Sequence, residues 1–413
     1  MLTLRLALRN IMRQRRRTVL TLLVLVTGYV GLAMAGGFIS QSFSGLADGA
    51  VRGGIGHFQI LDTRTLEGDE LQSLEFAIPD AEKLAELLRM DNAVLEVLPR
   101  IEFMGLATAN SRSVPFMGTG VDPVREPAHM ACLDQVKDGS KAPGGEGSRW
   151  LSADPGSREV LLGVGLARSL GVSVGDDLTL LATTQEGALN AVDAEVVGFL
   201  DLGLKEANDR FLTISCHTAD LLLDSNGARS RLSVVLKNPK NLKKEMPRLS
   251  ALVGHPAKPW TELATFYRQV KLLYLAIFGF MGIVLGFVVV LSTANALLMS
   301  VMERVREFGT LRALGMQPKM LFAMVQLEGA MLGIIGSAAG LAVTMLLRFA
   351  LNSLHIQLPA PPGLSHGYEL NIHFVPLVYL LSFLGLQLAV QISAWLPARR
   401  SAKLRVTEAL RHV

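Results

Sequence analysis

LLYLAIFGFMGIVLGFVVVLSTANALLMSV, residues Leu272–Val301, runs for 30 residues without a Lys, Arg, Asp or Glu. At ~1.5 Å of rise per residue a helix of that length is about 45 Å long. The hydrocarbon core of a bilayer is only about 30 Å thick, so the stretch predicts a membrane-spanning helix with a stalk standing beyond the hydrocarbon. Three more stretches meet the same test. Thr18–Ile39 is uncharged over 22 residues, Met320–Leu347 holds Glu328 as its single ionisable residue, and Ile372–Leu396 has no Lys, Arg, Asp or Glu. The first of these follows basic residues, as a signal peptide does. Its apolar run is too long for an h-region, however, and "AMAGG" (Ala33–Gly37) is a weak cleavage site, so it reads as a retained span.

Composition agrees with four spans and a sizeable aqueous part. Half of the 413 residues are hydrophobic and 18% are charged, too apolar for an ordinary soluble protein and too charged for a wholly embedded one. The net charge of +4 is modest, and no stretch joins basic and aromatic residues on one face as a nucleic-acid groove does. Where the basic residues sit is more informative. Arg5, Arg9, Arg13, Arg15, Arg16 and Arg17 precede the first span; Arg304, Arg306, Arg312 and Lys319 lie between the second and third; Arg399, Arg400, Lys403, Arg405 and Arg411 follow the fourth. The loop Leu351–Asn371 has neither Lys nor Arg. The positive-inside rule therefore expects both termini in the cytoplasm and the long segment after the first span outside. The expected plan is a surface helix at 1–17, spans at 18–39, 271–301, 320–347 and 372–396, and an extracytoplasmic domain at 40–270. A cytoplasmic linker at 302–319, an outer loop at 348–371 and a cytoplasmic tail at 397–413 complete it. In the surface helix, Leu4, Leu8 and Ile11 form one stripe and Arg5, Arg9, Arg13 and Arg16 another, the pattern of an amphipathic helix lying on a membrane.

The domain between the first two spans reads as mixed α/β. "GHFQILD" (Gly56–Asp62) predicts a strand, and "PDAEKLAELLRM" (Pro79–Met90) a helix with Leu84, Leu87 and Leu88 on its apolar face. "AVLEVLPRIEFMGLATAN" and "SVPFMGTGVD" predict strands around a turn near Ser111. The Gly-, Pro- and Ser-rich stretch 136–157 is expected to divide the domain into two lobes. Beyond it, 159–203 predicts strands with one short helix, and 231–253 a strand then a helix that completes the first lobe's sheet. Both cysteines, Cys132 and Cys216, fall in this domain; a disulfide and two buried thiols are equally compatible with the sequence.

Motifs for chemistry are scarce. No G-x-x-x-x-G-K-[ST] is present, and no H-E-x-x-H pair or Cys/His cluster with zinc spacing. "GLSHG" (Gly363–Gly367) matches G-x-S-x-G, but it lies in a short loop between two spans rather than on the strand–turn–helix that a nucleophile elbow needs. No catalytic, cofactor or metal residue is expected in this chain.

One charged stretch remains. "ERVREFGTLRALG" (Glu303–Gly315) is rich in helix formers and spreads Glu303, Arg304, Arg306, Glu307 and Arg312 around a helix whose small apolar face holds Leu311 and Leu314. Gly309 and Gly315 are expected to let the chain turn into and out of it. A solvated interhelical turn is one reading; a short helix lying across the membrane base and docking into a partner's groove is the other, and it accounts for the apolar face. Glu328, about two turns into the third span, is expected to face a helix partner or to take part in coupling within the membrane.

"NALLMSVMERVREFGTLRALGMQPKMLFAMVQLEGAMLGIIGSAAGLAV" (Asn295–Val343) resembles the core signature of the FtsX/MacB/lipoprotein-releasing permeases of ABC transporters. "LALRNIMRQRRRTVLTLLVLVTG" (Leu6–Gly28) is similar to their opening and "LPARRSAKLRVTEALRHV" (Leu396–Val413) to their ending. Residues 161–181 and 194–214 resemble the sheet-rich part of their external domain. The resemblance implies that Glu303–Gly315 is the coupling helix that docks on a separate P-loop ATPase, present in two copies and holding ATP and Mg. It also implies a second permease chain, identical or paralogous, and mechanical movement of the external domain in the bacterial inner membrane. A start close to the first span, without a fused nucleotide-binding domain, and "GHFQILD" are nearest to the lipoprotein-releasing type. A periplasmic carrier or an adaptor is the further partner implied, with 136–157 as the one candidate for a carrier-recruiting hook.

Overall fold

The computed structural model describes residues 15–66, 76–129, 136–137, 139–203, 205–358 and 368–403. The expected surface helix up to residue 14, "GLSHG", Cys132 and the tail from residue 404 lie outside them. The chain divides into two units: one of Met1–Ser44, Val270–Gln357 and Glu369–Val413, the other of Gly45–Gln269 with Leu358–Tyr368.

Four helices are long and apolar enough to cross a membrane, and their apolar stretches lie in the first unit: Arg15–Ala50, Thr265–Glu303, Pro318–Ser353 and Pro376–Ala402. The third and fourth begin on proline, whose missing amide and fixed φ suit the first helical turn. Leu25, Tyr29, Ala33, Val289, Leu297, Leu332, Tyr379, Leu386, Val390 and Ala394 form the core between the spans. Lipid is as apolar as leucine, so helix association in a bilayer rests on close backbone approach. The third span supplies it: a Cβ on Gly336 would meet the Leu25 Cβ at 2.7 Å, and one on Gly340 the Tyr29 Cβ at 2.8 Å.

The second unit is α/β. Its elements are β1 (Phe58–Ile60), α1 (Ala81–Arg89), β2 (Val94–Ala109), β3 (Arg112–Val121), β4 (Glu159–Gly163), α2 (Val164–Leu170), β5 (Asp177–Thr183), β6 (Leu189–Leu200), β7 (Phe211–Ser215), α3 (Cys216–Leu223), β8 (Arg231–Leu236), α4 (Leu242–Val253) and β9 (Ala257–Pro259). The strands follow the order β3-β7-β4-β6-β5-β2-β8-β1-β9, and β3 pairs again with β2, so six of them close on themselves. The β2–β3 hairpin turns at Asn110 and Ser111, with φ of 52° and 61°, the left-handed pair that matches strand twist.

Strand β2 belongs to both lobes. Val94 and Val97 enter a core with α1, β1, β8 and α4, while Ile101, Phe103 and Ala107 enter the core enclosed by the other strands. The division between lobes therefore falls inside β2, near Pro99 and Arg100, and not at 136–157. Val136 and Leu151 pack on Val121, Leu161, Val197 and Leu200, and the Arg149 amide donates to the Val197 carbonyl at 3.0 Å. Glycine and proline there mark irregular backbone laid on the second lobe, because turn residues report local conformation and not which core a segment joins. In α1 the buried face is Ala81, Ala85 and Leu88, with Leu87 exposed. Helix α3 was not expected; Ser215 caps it by accepting from the Thr218 amide. Its first residue, Cys216, has its Sγ 3.8 Å from the Pro99 carbonyl, and burial pushes the thiol up to about 12.

Candidate coupling site

The second span's helix runs through Glu303 and breaks at Arg304, whose φ of −109° and ψ of 18° leave the helical range. A new helix starts at Val305 and ends at Ala313. That starting point sets the register: Val305, Phe308 and Gly309 are buried, and Arg312 is half-buried one turn on. Phe308, fully buried, packs with Val301, Leu321, Met324, Val325 and Ala398, and Leu311 and Met316 lean on the same cluster. The spacing is that of one helical face. The opposite face presents Arg306, Thr310, Ala313 and Leu314, and Leu314 is 80% exposed.

Two expectations need correction here. Arg304 does not point outward. Its side chain is 12% exposed, with Nε 3.0 Å from Glu307 Oε2, Nη1 3.3 Å from Glu328 Oε2, and the guanidinium carbon 5.0 Å from the centre of the Phe308 ring. Gly309 is not the entry turn either; it sits buried in mid-helix, and the chain turns at Arg304 instead. Gly315 does take the left-handed turn on the way out, at φ +92°. Leu311 and Leu314, grouped by the sequence on one face, part ways because the helix ends at Ala313 and Leu314 is already its C-cap, exposed.

The remaining residues pin the helix ends. Glu303 receives both Nη1 and Nη2 of Arg17, at 3.1 and 2.6 Å, a bidentate fork joining the first and second spans. Arg312 Nη1 donates to the Ala402 carbonyl at 3.1 Å, the last residue of the fourth span. Glu328 is 6% exposed and has the Arg304 guanidinium as its charged partner. Sequence reasoning missed Arg17 and Ala402 as parts of this site. For Arg17 the signal was present in the basic run before the first span; for a backbone carbonyl no residue-type signal exists. The product is a nine-residue helix, clamped on one face to the span ends and exposing Arg306 and Leu314 on the other.

Residues 277–406, which include this helix and the spans around it, match the FtsX-like permease C-terminal family. Lipoprotein-releasing system transmembrane protein LolC of Neisseria meningitidis serogroup B is 25% identical over 301 residues, covering 67% of this chain and 70% of that protein. The LolC protein of Xylella fastidiosa strain Temecula1 is 24% identical over 353 residues, 81% of either chain. Macrolide export ATP-binding/permease protein MacB of Escherichia coli K12 is 32% identical over 138 residues, 33% of this chain and 19% of that protein. With four membrane-length helices, an α/β domain between the first two and a short clamped helix between the second and third, the chain carries an FtsX-like permease domain over residues 277–406 and is similar to LolC- and MacB-type ABC transporter permeases.

Proposed function

We propose that this permease subunit releases lipoproteins, or a similarly amphipathic cargo, from the inner membrane, driven by a separate ATPase that docks on the helix Val305–Ala313. The observation that carries the cargo is the reach of the similarity. The match to the Xylella LolC spans 353 residues and so extends from the membrane unit into the α/β domain, whereas the match to MacB stops at 138. Docking uses the outward stripe of Arg306, Thr310 and Leu314, with Glu307 at its edge; Arg312 and Glu303 hold the helix ends. ATP and Mg bind the ATPase, present in two copies, and a second permease chain completes the complex. The arginine-rich ends of the spans then lie in the cytoplasm, as the charge bias of the short loops requires, and the α/β domain lies outside.

Purification of the tagged chain from native membranes in mild detergent, followed by mass spectrometry of proteins and attached lipids, tests this. A P-loop ATPase together with acylated proteins is the expected result. The same ATPase with an elongated adaptor and no acylated protein would replace lipoprotein release by efflux, the reading that the higher local identity to MacB favours. A cell-wall hydrolase on the α/β domain would make the chain a non-transporting regulator.

A further inference from the structure

The geometry points to Arg304 and Glu328 as a positioning pair that makes the short helix and the third span move as one body, so that a push on the outward stripe enters the third span and not the second. This rests on the coupling role proposed above and adds the route that the motion takes. Three observations carry it.

First, both covalent connections of the short helix are joints. On the second-span side the helix is interrupted at Arg304 itself, and on the third-span side the chain passes through Gly315 at φ +92° before the next helix starts at Pro318. Neither connection is continuous α-helix, so the side-chain contacts weigh in deciding which span follows the helix. Second, those contacts favour the third span. Of the residues around Phe308, Leu321, Met324 and Val325 come from the third span, Val301 from the second and Ala398 from the fourth. Third, Arg304 at the head of the helix forms an ion pair with Glu328 in the body of the third span, and it is sheltered: the two side chains are 12% and 8% exposed. A carboxylate in that position, two turns into an apolar helix, is costly without a counter-charge. The guanidinium is in turn held by Glu307 and by the face of Phe308, both on the short helix. It thus has one grip on each body. The Arg17–Glu303 fork differs, since its side chains are 27% and 43% exposed and it joins only the first two spans.

Arg304 and Glu328 are therefore positioning residues and do not touch the ATPase, while Arg306 two residues away is a docking contact. The test uses the full chain with Cys132→Ser and Cys216→Ser, spin labels on Thr310→Cys and Leu346→Cys, and lipid nanodiscs. Distances between the labels are measured without the ATPase, because Thr310 lies on the docking stripe. The parent and Arg304→Lys should give one narrow distance distribution, and Glu328→Gln a broad one. Glu328→Asp, with one methylene less reach, should fall between them. In the intact complex, Glu328→Gln should retain the ATPase at parental yield yet lower ATP-driven cargo release at least tenfold. The double variant Arg304→Gln/Glu328→Gln should be no worse than either single one, because a broken link cannot be broken twice. A distribution for Glu328→Gln as narrow as the parent's overturns the pair as a link. Multiplying effects in the double variant overturn it as well. Failure of the unsubstituted chain to retain any ATPase overturns the coupling role instead, and leaves the distance measurement to decide the link by itself.

Discussion

The second and third spans, similar in length and apolarity, are built into the molecule in opposite ways. In the second, 6% of the most apolar stretch is buried, and Leu272, Leu275, Phe280, Ile283 and Phe287 all face outward. Its buried residues, Val289, Thr293, Leu297, Ser300 and Val301, are confined to the half nearest the short helix. In the third span 33% of the apolar stretch is buried, and buried positions continue from Leu321 to Thr344. The difference teaches that hydropathy alone reports membrane residence, while small residues report which span is the spine. The third span places Gly329, Gly333, Gly336 and Gly340 toward its neighbours, whereas Gly279 and Gly286 of the second face open space.

The contrast breaks first at glycine. Gly336→Leu forces a side chain against Leu25 and should cost about 3 kcal/mol, the upper range for overpacking, with most of the protein lost from the monodisperse peak in size-exclusion chromatography. Gly286→Leu should leave that peak unchanged. Equal losses in the two variants would mean that the second span is packed as tightly as the third.

The next effect separates the two faces of the short helix. Arg304→Ala leaves Glu328 without its counter-charge and should lower stability by about 2 kcal/mol, below the 3–5 kcal/mol of a fully buried pair because the site lies near the end of a span. Arg306→Ala, on the exposed face, should change it by no more than about 0.5 kcal/mol. Thermal unfolding of both variants in the same detergent checks the assignment, and a larger loss for Arg306→Ala would reverse the two faces.

A smaller effect concerns the α/β unit. His57 Nδ1 accepts the Leu236 amide at 3.0 Å, and burial lowers the imidazole's proton affinity. The unfolded chain then binds more protons than the folded one, so this contribution is complete above pH ~6.5 and is lost as the pH falls below it toward the lowered folded value. The protection factor of the Leu236 amide, taken relative to its intrinsic exchange rate at each pH, should fall across that window, more than at core amides of β6, and His57→Gln should flatten the dependence. Smallest of all, Leu314→Ser should leave stability within about 0.5 kcal/mol while reducing ATPase retention. Unchanged retention would take Leu314 out of the docking stripe.

Much of this architecture was legible from local pattern. The four spans announce themselves by long apolar runs with at most one charge, the hairpin by its polar turn at Asn110–Ser111, and the short helix by its composition. The register of that helix was not legible, because its start depends on where the second span's helix happens to end. With the break at Arg304, that residue leaves the helix and its side chain reaches Glu328 instead of the docking face. The lobe boundary was misplaced for a related reason: a sixteen-residue strand shared by two cores has no compositional seam.

What the sequence determined by itself was which segments enter the membrane and which short loops gather the arginines, since hydrophobic length and charge act residue by residue. The tertiary structure alone decided that Glu328 meets Arg304, that Arg17 meets Glu303, that β2 serves two lobes, and that the third span is the spine. Each of these depends on partners far apart in the chain, and no periodicity within a segment encodes which distant surface will approach it.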